Sequence, residues 1–600
     1  MSHAPIVEWR DGTPHSPGFN DIYHSCAGGL AQARQVFMRG CGLPQAWQHQ
    51  SQWRVLETGF GLGLNFLATW QAWQDDPQRP TLLHFASIEA HPVEVADLLR
   101  SAQDHPELVA LAQELSLQWR KPGPGFHRMS FEGGRVLLTL CIGDVKPMLR
   151  ELAFFADSIF LDGFSPALNP AMWDEHTLKA VSRCCHRGTR IATWTVARDI
   201  RDRLTQSGFV LEMVPGLAPK RDRLQGEFNP AWEPKVRATA VSPLPIEISH
   251  CIVVGSGLAG AAVAASLARR GWRVTVLDAG SEPAAGASGL PAGLVVPHVS
   301  ADDAVLSRLS RAGVDMTWQQ VHSLLREGQD FAQCGVRERR LEHGLPDLWH
   351  PLAGWIKPAQ LVRALLAQPG ITWQGGMGVQ CLRRQGECWQ LLDAQDRVLA
   401  EAPRVIVCAG YASHTLLPRV LPLQALRGQL SWSWRSAGDG DAFPASPVNG
   451  RGNFIPQVPT DQGMAWYLGS SFERDSTDTQ ARDSDHQSNY AKLRALLPET
   501  ARALATSFEG SQLQAFTAVR CTTPDRLPVV GALDGKNLPG LWLSSAMGAR
   551  GLSLAMLCAE LLAALWHGEP LPVERKLAQA LMPDRKNLTP GGGATALCKD

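Results

Sequence analysis

The residues best suited to chemistry fall into two glycine-and-carboxylate constellations. In the first, Gly255, Gly257 and Gly260 of Val254-Gly255-Ser256-Gly257-Leu258-Ala259-Gly260 precede Asp278. Glycines at this spacing permit a tight turn and close backbone approach to a pyrophosphate, and an acid about 20 residues on accepts from ribose hydroxyls. That acid also argues against a 2′-phosphate. In the second, Gly59, Gly61 and Gly63 alternate after Glu57. This turn suits a smaller coenzyme without a pyrophosphate, such as S-adenosylmethionine, whose amino-acid end meets backbone groups. Glu89 is placed to bind ribose hydroxyls and Asp144 an adenine amino group, and Asp162 opens Asp162-Gly163-Phe164-Ser165-Pro166. The competing reading makes Glu57, Glu89 and Asp144 ordinary helix-cap or turn residues.

The elements that must position these groups are legible around them. Cys251 to Val254 reads as a buried parallel strand. Leu258, Ala261, Ala262, Ala265 and Ala268 recur at helical spacing, and the helix stops at Gly271 before a strand over Arg273–Leu277. Earlier, Trp53 to Leu56, Leu82 to Ile88, Val136 to Ile142 and Ser158 to Leu161 read as strands, with a helix over Leu64 to Trp73. Each candidate acid stands at a strand's carboxyl end, where open α/β sheets bind ligands.

Six hundred residues exceed one core, so about two to four domains are expected. Apolar residues at 44%, charged residues at 19% and zero formal net charge describe a globular chain without a global pull towards polyanions. No stretch approaches the ~20 apolar residues of a membrane span. Thirteen cysteines, an odd number without a Cys-x-x-Cys pair, fit reduced thiols in the cytoplasm better than disulfides, and no metal site is expected. Pro230, Pro234, Pro243 and Pro245 mark a semi-rigid linker, and Thr589-Pro590-Gly591-Gly592-Gly593 opens a flexible tail.

Glu57-Thr58-Gly59-Phe60-Gly61-Leu62-Gly63-Leu64-Asn65-Phe66 and Leu161-Asp162-Gly163-Phe164-Ser165-Pro166-Ala167-Leu168-Asn169-Pro170-Ala171-Met172-Trp173 together resemble the methyltransferase half of the bifunctional tRNA 5-methylaminomethyl-2-thiouridine biosynthesis proteins. So do Gly12-Thr13-Pro14 and Asp21-Ile22-Tyr23. The resemblance implies methylation of an aminomethyl group on a tRNA wobble uridine. An alkylamine with a pKa of about 10 is protonated at neutral pH and lacks a lone pair for attack, so a carboxylate must take or hold its proton. Asp162 is the candidate. Phe164 and Trp173 stand where they can stack on the uracil, although large aromatics are as often core. Between Lys179 and Arg223, ten basic residues, Lys220 and Arg221 among them, face four acids. This is the chain's best phosphate footprint, and a solvated helix face with internal ion pairs explains part of it equally well.

Downstream, the cradle, Gly286-Ala287-Ser288-Gly289, Arg404-Val405-Ile406-Val407-Cys408-Ala409-Gly410, the Val519-Arg520-Cys521-Thr522-Thr523 segment and Gly548-Ala549-Arg550-Gly551 resemble the D-amino-acid oxidase and glycine oxidase superfamily. They are similar above all to the oxidase half of the same bifunctional family. The resemblance implies FAD, held through Gly255, Gly257, Gly260, Asp278, Ser288, Gly410, Gly548 and Gly551. It also implies Arg520 and Arg550 on the substrate carboxylate, with Arg526 a third candidate; an arginine fork suits that task. Two departures are Asp278, where the superfamily usually has Glu, and the intrusion of Leu290-Pro291.

The expectation is therefore an α/β plus α+β protein. A Rossmann-like S-adenosylmethionine methyltransferase occupies residues 1–235, a linker 236–249, an FAD oxidoreductase 250–585 and a tail 586–600. Within the oxidoreductase, FAD-binding parts at about 250–300, 400–425 and 516–585 frame a mixed-sheet substrate lobe at about 301–399 and 426–515. The expected function is removal of a carboxymethyl group from a wobble uridine followed by N-methylation, in a cytoplasmic monomer acting on tRNA and not on membranes. The rivals are a small-molecule amine oxidase fused to an unrelated methyltransferase, and a catalytically dead tRNA-binding scaffold.

Overall fold

The computed structural model describes residues 6–24, 28–120, 122–218, 220–233, 247–340, 345–436, 442–510 and 513–588. Most of the expected linker and the tail from residue 589 lie outside them. The chain divides into two compact units, one of residues 1–246 with 564–578, the other of 247–563 with 579–600.

The first unit is built on an eight-stranded sheet. Its strands are β1 (Gln52–Glu57), β2 (Leu82–Glu89), β3 (Gly125–Phe131), β4 (Val136–Ile142), β5 (Ala156–Phe160), β6 (Cys185–Thr193), β7 (Phe209–Pro215) and β8 (Asp222–Phe228), in the order β7-β8-β6-β5-β1-β2-β4-β3. The central five are parallel. β4 is buried along its whole length and β2 up to Glu89, as mostly apolar strands covered on both faces should be. From β1 the chain winds outward through β2 to β4, then returns to the other side of β1 as β5. The order reverses between β1 and β5, which is where doubly wound sheets bind ligands. Helix α1 (Leu64–Asp75) leaves the β1 turn and buries Phe66, Trp70 and Trp73 against the sheet.

Residues 564–578, expected within the oxidoreductase, instead complete this first unit. The carbonyls of His567 and Gly568 accept from Gln52 Nε2 at 2.7 Å and Arg54 Nη1 at 3.1 Å, the Pro570 carbonyl accepts from buried Arg128, and Glu151 accepts from Lys576 N at 3.0 Å.

The second unit carries a six-stranded sheet. Its strands are β9 (His250–Val254), β10 (Arg273–Leu277), β11 (Ile371–Gln374) and β12 (Val405–Val407), and further on Val529–Ala532 and Leu541–Ser545. All run parallel apart from Val529–Ala532 at one edge. Helix α2 (Leu258–Ala268) joins β9 to β10, and its Gly and Ala residues let it lie close on the sheet, buried nearly all round. A second, largely antiparallel sheet forms the lobe. There β13 (Gln424–Trp434) pairs with both β14 (Gly463–Gly469) and β15 (Gln514–Thr522). Two expected boundaries shift in consequence. Ile371–Gln374, assigned to the lobe, is an edge strand of the coenzyme sheet, and residues 516–522, assigned to the coenzyme part, belong to the lobe sheet.

Candidate functional site

In the first unit, the ends of β1, β2, β4 and β5 open on one cavity of about 1040 Å³. Gly61, at φ +53°, donates its N–H to Glu89 Oε2 at 2.8 Å, while Glu89 Oε1 accepts from His91 N at 2.8 Å. Burial pushes the Glu89 carboxyl up from its ordinary range, and these backbone donors oppose that. Thr58 Oγ1 donates to the Asp162 carbonyl at 2.7 Å, and a Cβ on Gly59 would lie 3.2 Å from that same oxygen. The glycine turn is therefore sewn to the end of β5 across the switch point. Gly63 shapes the turn from behind: it caps α1 at φ +78°, where a Cβ would press on the Phe60 ring at 3.0 Å. Asp144 precedes the helix Val145–Glu151 without a side-chain cap hydrogen bond and is exposed to the cavity, so the cap reading fails for it.

Asp162 lines the same cavity. Its Oδ1 accepts from Gly163 N at 2.8 Å and its Oδ2 from Asn65 Nδ2 at 3.0 Å. Burial pushes its carboxyl up to about 6, against the pull of those donors and of Trp194. Asn65 was not singled out from the sequence; the available signal was an amide in the first turn of the helix, set among apolar Leu64, Phe66, Leu67 and Ala68. That amide also donates to Glu57 Oε1 at 2.8 Å, and Ser87 Oγ donates to Glu57 Oε2 at 2.5 Å.

Three expected contacts need correction. Glu57 is fully buried beneath the turn, away from the cavity wall, and burial holds its carboxyl well above the usual range. It positions Asn65, and so Asp162, instead of meeting a coenzyme. Trp173 is core, at 1% exposure, and donates Nε1 to the Phe164 carbonyl at 2.8 Å, steadying Phe164 from behind. Phe164 does line the cavity, stacked on Phe19 at 4.7 Å with Tyr23 edge-on at 5.2 Å. Arg221 points to solvent beside Asp222, outside the wall, whereas Lys220 lines the cavity with Nζ 3.6 Å from the Trp194 ring centroid. Part of the basic footprint is used internally. Arg187 bonds to the Pro230 carbonyl, Arg190 to that of Cys41, Arg203 to that of Trp173 and Arg223 to Gln225.

In the second unit a cavity of about 1520 Å³ runs from the glycine turn into the lobe. Gly255 adopts φ +107°, and a Cβ there would lie 2.5 Å from the Cys408 carbonyl oxygen; one on Gly260 would lie 1.8 Å from the Gly255 oxygen. The turn thus has room for backbone alone, which fits a pyrophosphate cradle. Asp278 closes the cradle: Oδ2 accepts from Ser256 N and Oγ at 2.5 and 2.8 Å, and Oδ1 from Gly280 N at 2.8 Å. Ser288 Oγ accepts from Leu258 N at 2.9 Å, at the start of α2. Gly410, Gly548 and Gly551 line the opposite wall. Gly255→Ala should lower FAD retention at least about tenfold, since backbone strain of ~1–3 kcal/mol adds to the clash. The FAD-to-protein ratio of the purified variant checks this, with methyl transfer retained.

Arg520, Arg526 and Arg550 all reach this cavity. Arg520 donates Nη1 to Ser470 Oγ at 3.2 Å and Nη2 to the Ser471 carbonyl at 3.3 Å; among the described residues no carboxylate pairs with it. Burial lowers its guanidinium to about 10. Burial and then neighbouring Arg526 also lower Arg550. Largely desolvated cations without an anionic partner among the described residues suit an anionic ligand. His298 and Glu338 line the same wall and were not singled out from the sequence; each stands in a stretch without a flanking motif. Among the described residues no cluster of His, Cys, Asp or Glu is placed to hold a metal, and no helix is long and apolar enough to cross a membrane.

Residues 106–229 match the S-adenosyl-L-methionine-dependent methyltransferase family, and residues 250–341 and 336–565 the FAD dependent oxidoreductase family. The first unit therefore uses S-adenosylmethionine and the second FAD. The chain is 53% identical to the tRNA 5-methylaminomethyl-2-thiouridine biosynthesis bifunctional protein MnmC of Polaromonas naphthalenivorans (strain CJ2), covering 98% of this chain and 99% of that one. It is 52% identical to the protein of the same name from Paracidovorax citrulli (strain AAC00-1), covering 96% and 99%. Identity sustained across both units at this level places the chain in the family of tRNA 5-methylaminomethyl-2-thiouridine biosynthesis bifunctional proteins, with methyltransferase and FAD oxidoreductase on one polypeptide.

Proposed function

We propose that the chain converts the carboxymethylaminomethyl group of a tRNA wobble uridine first to aminomethyl and then to methylaminomethyl. The observation that carries this reading is the pairing of unlike sites: arginines without an anionic partner among the described residues in one cavity, and a raised carboxyl in the other. Bound FAD supplies the hydride acceptor. Arg520 and Arg550 grip the substrate carboxylate and so fix the adjacent CH2. Loss of hydride from that CH2 leaves an imine, which water cleaves to glyoxylate and the primary amine. In the first unit, Glu89 and Asp144 hold the methyl donor's adenosine. Asp162, steered by Asn65, takes the proton that frees the amine's lone pair. Lys220 and Phe164 flank the base. We take the working form as a monomer in a cytoplasmic setting, where an odd number of cysteines without a Cys-x-x-Cys pair fits reduced thiols.

The test incubates the purified, FAD-loaded chain with tRNA bearing carboxymethylaminomethyl wobble uridines, with and without S-adenosylmethionine, and analyses the nucleosides by mass. Aminomethyl-uridine should accumulate without the methyl donor and methylaminomethyl-uridine with it. Turnover of glycine or sarcosine with unchanged tRNA would refute the reading.

A pH dependence follows from the carboxyl at about 6. The ionised form accepts the proton, so methyl transfer to aminomethyl-tRNA should rise as pH climbs through about 6 and fall about tenfold per unit below it. An initial-rate profile of that single step checks the sign; a flat profile between pH 5 and 7 (bounds chosen about one unit either side) contradicts it.

A further inference from the structure

Phe472 stands on the wall of the oxidoreductase cavity, 58% exposed, the only exposed phenylalanine among the described residues. Its exposure is not the looseness of a free loop. Ser471, just before it, exchanges hydrogen bonds with Gln429 of β13: its N–H donates to the Gln429 carbonyl at 3.0 Å and its Oγ accepts from Gln429 N at 2.9 Å. Glu473, just after it, pairs with Arg482 at 2.8 Å. The following loop is pinned by fully buried Arg427, which donates to the carbonyls of Asp478 and Gln480 and to Asp485 Oδ2. Two cations hold the ring itself: the Arg520 guanidinium lies 4.5 Å from its centroid and Lys492 Nζ 5.5 Å, with Lys492 anchored to the Ser470 carbonyl at 2.7 Å.

A rigid backbone thus holds an aromatic ring partly in water beside the arginine assigned to the substrate carboxylate. In a carboxymethylaminomethyl-uridine only a –CH2–NH–CH2– spacer separates that carboxylate from the pyrimidine, so gripping the one at Arg520 brings the other to the Phe472 ring. We propose that Phe472 is the stacking platform for the wobble pyrimidine, and that it makes the oxidoreductase site select a nucleoside over a free amino acid. The inference rests on the substrate reading above and adds the residue that reads the base. Stacking on an aromatic face is tolerant of base identity and measurable by truncation.

The experiment uses the full-length, FAD-loaded chain and follows anaerobic flavin reduction against the concentration of carboxymethylaminomethyl-tRNA. For Phe472→Ala, half-saturation should rise about tenfold to a hundredfold, with the limiting rate and FAD content changed by less than about threefold. Phe472→Trp and Phe472→Tyr should restore half-saturation, whereas Phe472→Leu should not. The shift should persist in raised salt, unlike a phosphate contact. Three results overturn the proposal: unchanged half-saturation in Phe472→Ala, rescue by Phe472→Leu, or a fall in limiting rate alone, which would mean that the ring only shields Arg520 from water. Failure of the unaltered chain to reduce its flavin with tRNA would instead sink the substrate reading, and this inference with it.

Discussion

Asp162→Asn lowers methyl transfer by about 10²–10⁴-fold, the range general-base groups contribute, while leaving carboxymethyl removal intact. The change keeps the side chain's size but removes the negative charge that we propose takes the amine's proton. Burial already holds this carboxyl at about 6, basic enough to accept a proton at neutral pH yet ionised when the amine arrives. The expected readout is tRNA whose wobble nucleoside stops at aminomethyl, with S-adenosylmethionine binding preserved in calorimetry. The variant's residual rate should climb with pH towards the amine's own pKa of ~10, because solvent must then do the deprotonating. Normal methylaminomethyl content in the variant would remove Asp162 from the mechanism. Asn65→Ala should move the same step in the same direction by a smaller factor, since it loosens the amide that aims Asp162.

The second large effect is in the other unit. Arg520→Ala should lower kcat/KM for carboxymethyl removal by ~30- to ~5,000-fold, the equivalent of the ~2–5 kcal/mol lost when one partner of a buried charge pair is truncated. Arg520 is largely desolvated and, among the described residues, has no carboxylate partner, so in the proposed reaction the substrate carboxylate is the anion that compensates it. Cells carrying the variant should accumulate the carboxymethylaminomethyl nucleoside. Arg520→Lys should recover only part of the loss, because an ammonium restores charge without the planar fork. If Arg520 and Arg550 grip one carboxylate, the double alanine variant should lose less than the product of the two single losses. Strict multiplication would show that they serve different groups.

Much of this arrangement is legible in the linear chain, for identifiable reasons. Strands β2 and β4 are mostly apolar runs, broken only by His84 and Ser87 in β2 and Thr139 in β4, and a sheet covered on both faces asks for that, so their ends and the acids placed there follow directly. The same double covering hides which way a terminal acid turns. Glu57 sits at a strand end like Glu89, yet points under the sheet to Ser87 and Asn65, because neither face of β1 is marked as the wet one. Trp173 was open between stacking and core because its ring suits both; the Phe164 carbonyl waiting for its N–H decides for core. Residues 516–522 of the lobe strand Gln514–Thr522 are assigned from sequence to the coenzyme part because their partner β13 lies some ninety residues earlier, as Thr522 opposite Gln424 illustrates, and no local pattern encodes such pairing.

The return of residues 564–578 to the first unit bears on how the chain is made. A ribosome releases the whole of residues 1–246 long before the segment that accepts from Gln52, Arg54 and Arg128 has been translated. During that interval the nascent amino-terminal half has yet to receive the Pro570 carbonyl that accepts from Arg128. Fission of the gene at the interdomain stretch would therefore yield an amino-terminal fragment lacking a piece of its own interior, and supplying residues 564–578 as a separate peptide should raise that fragment's melting temperature.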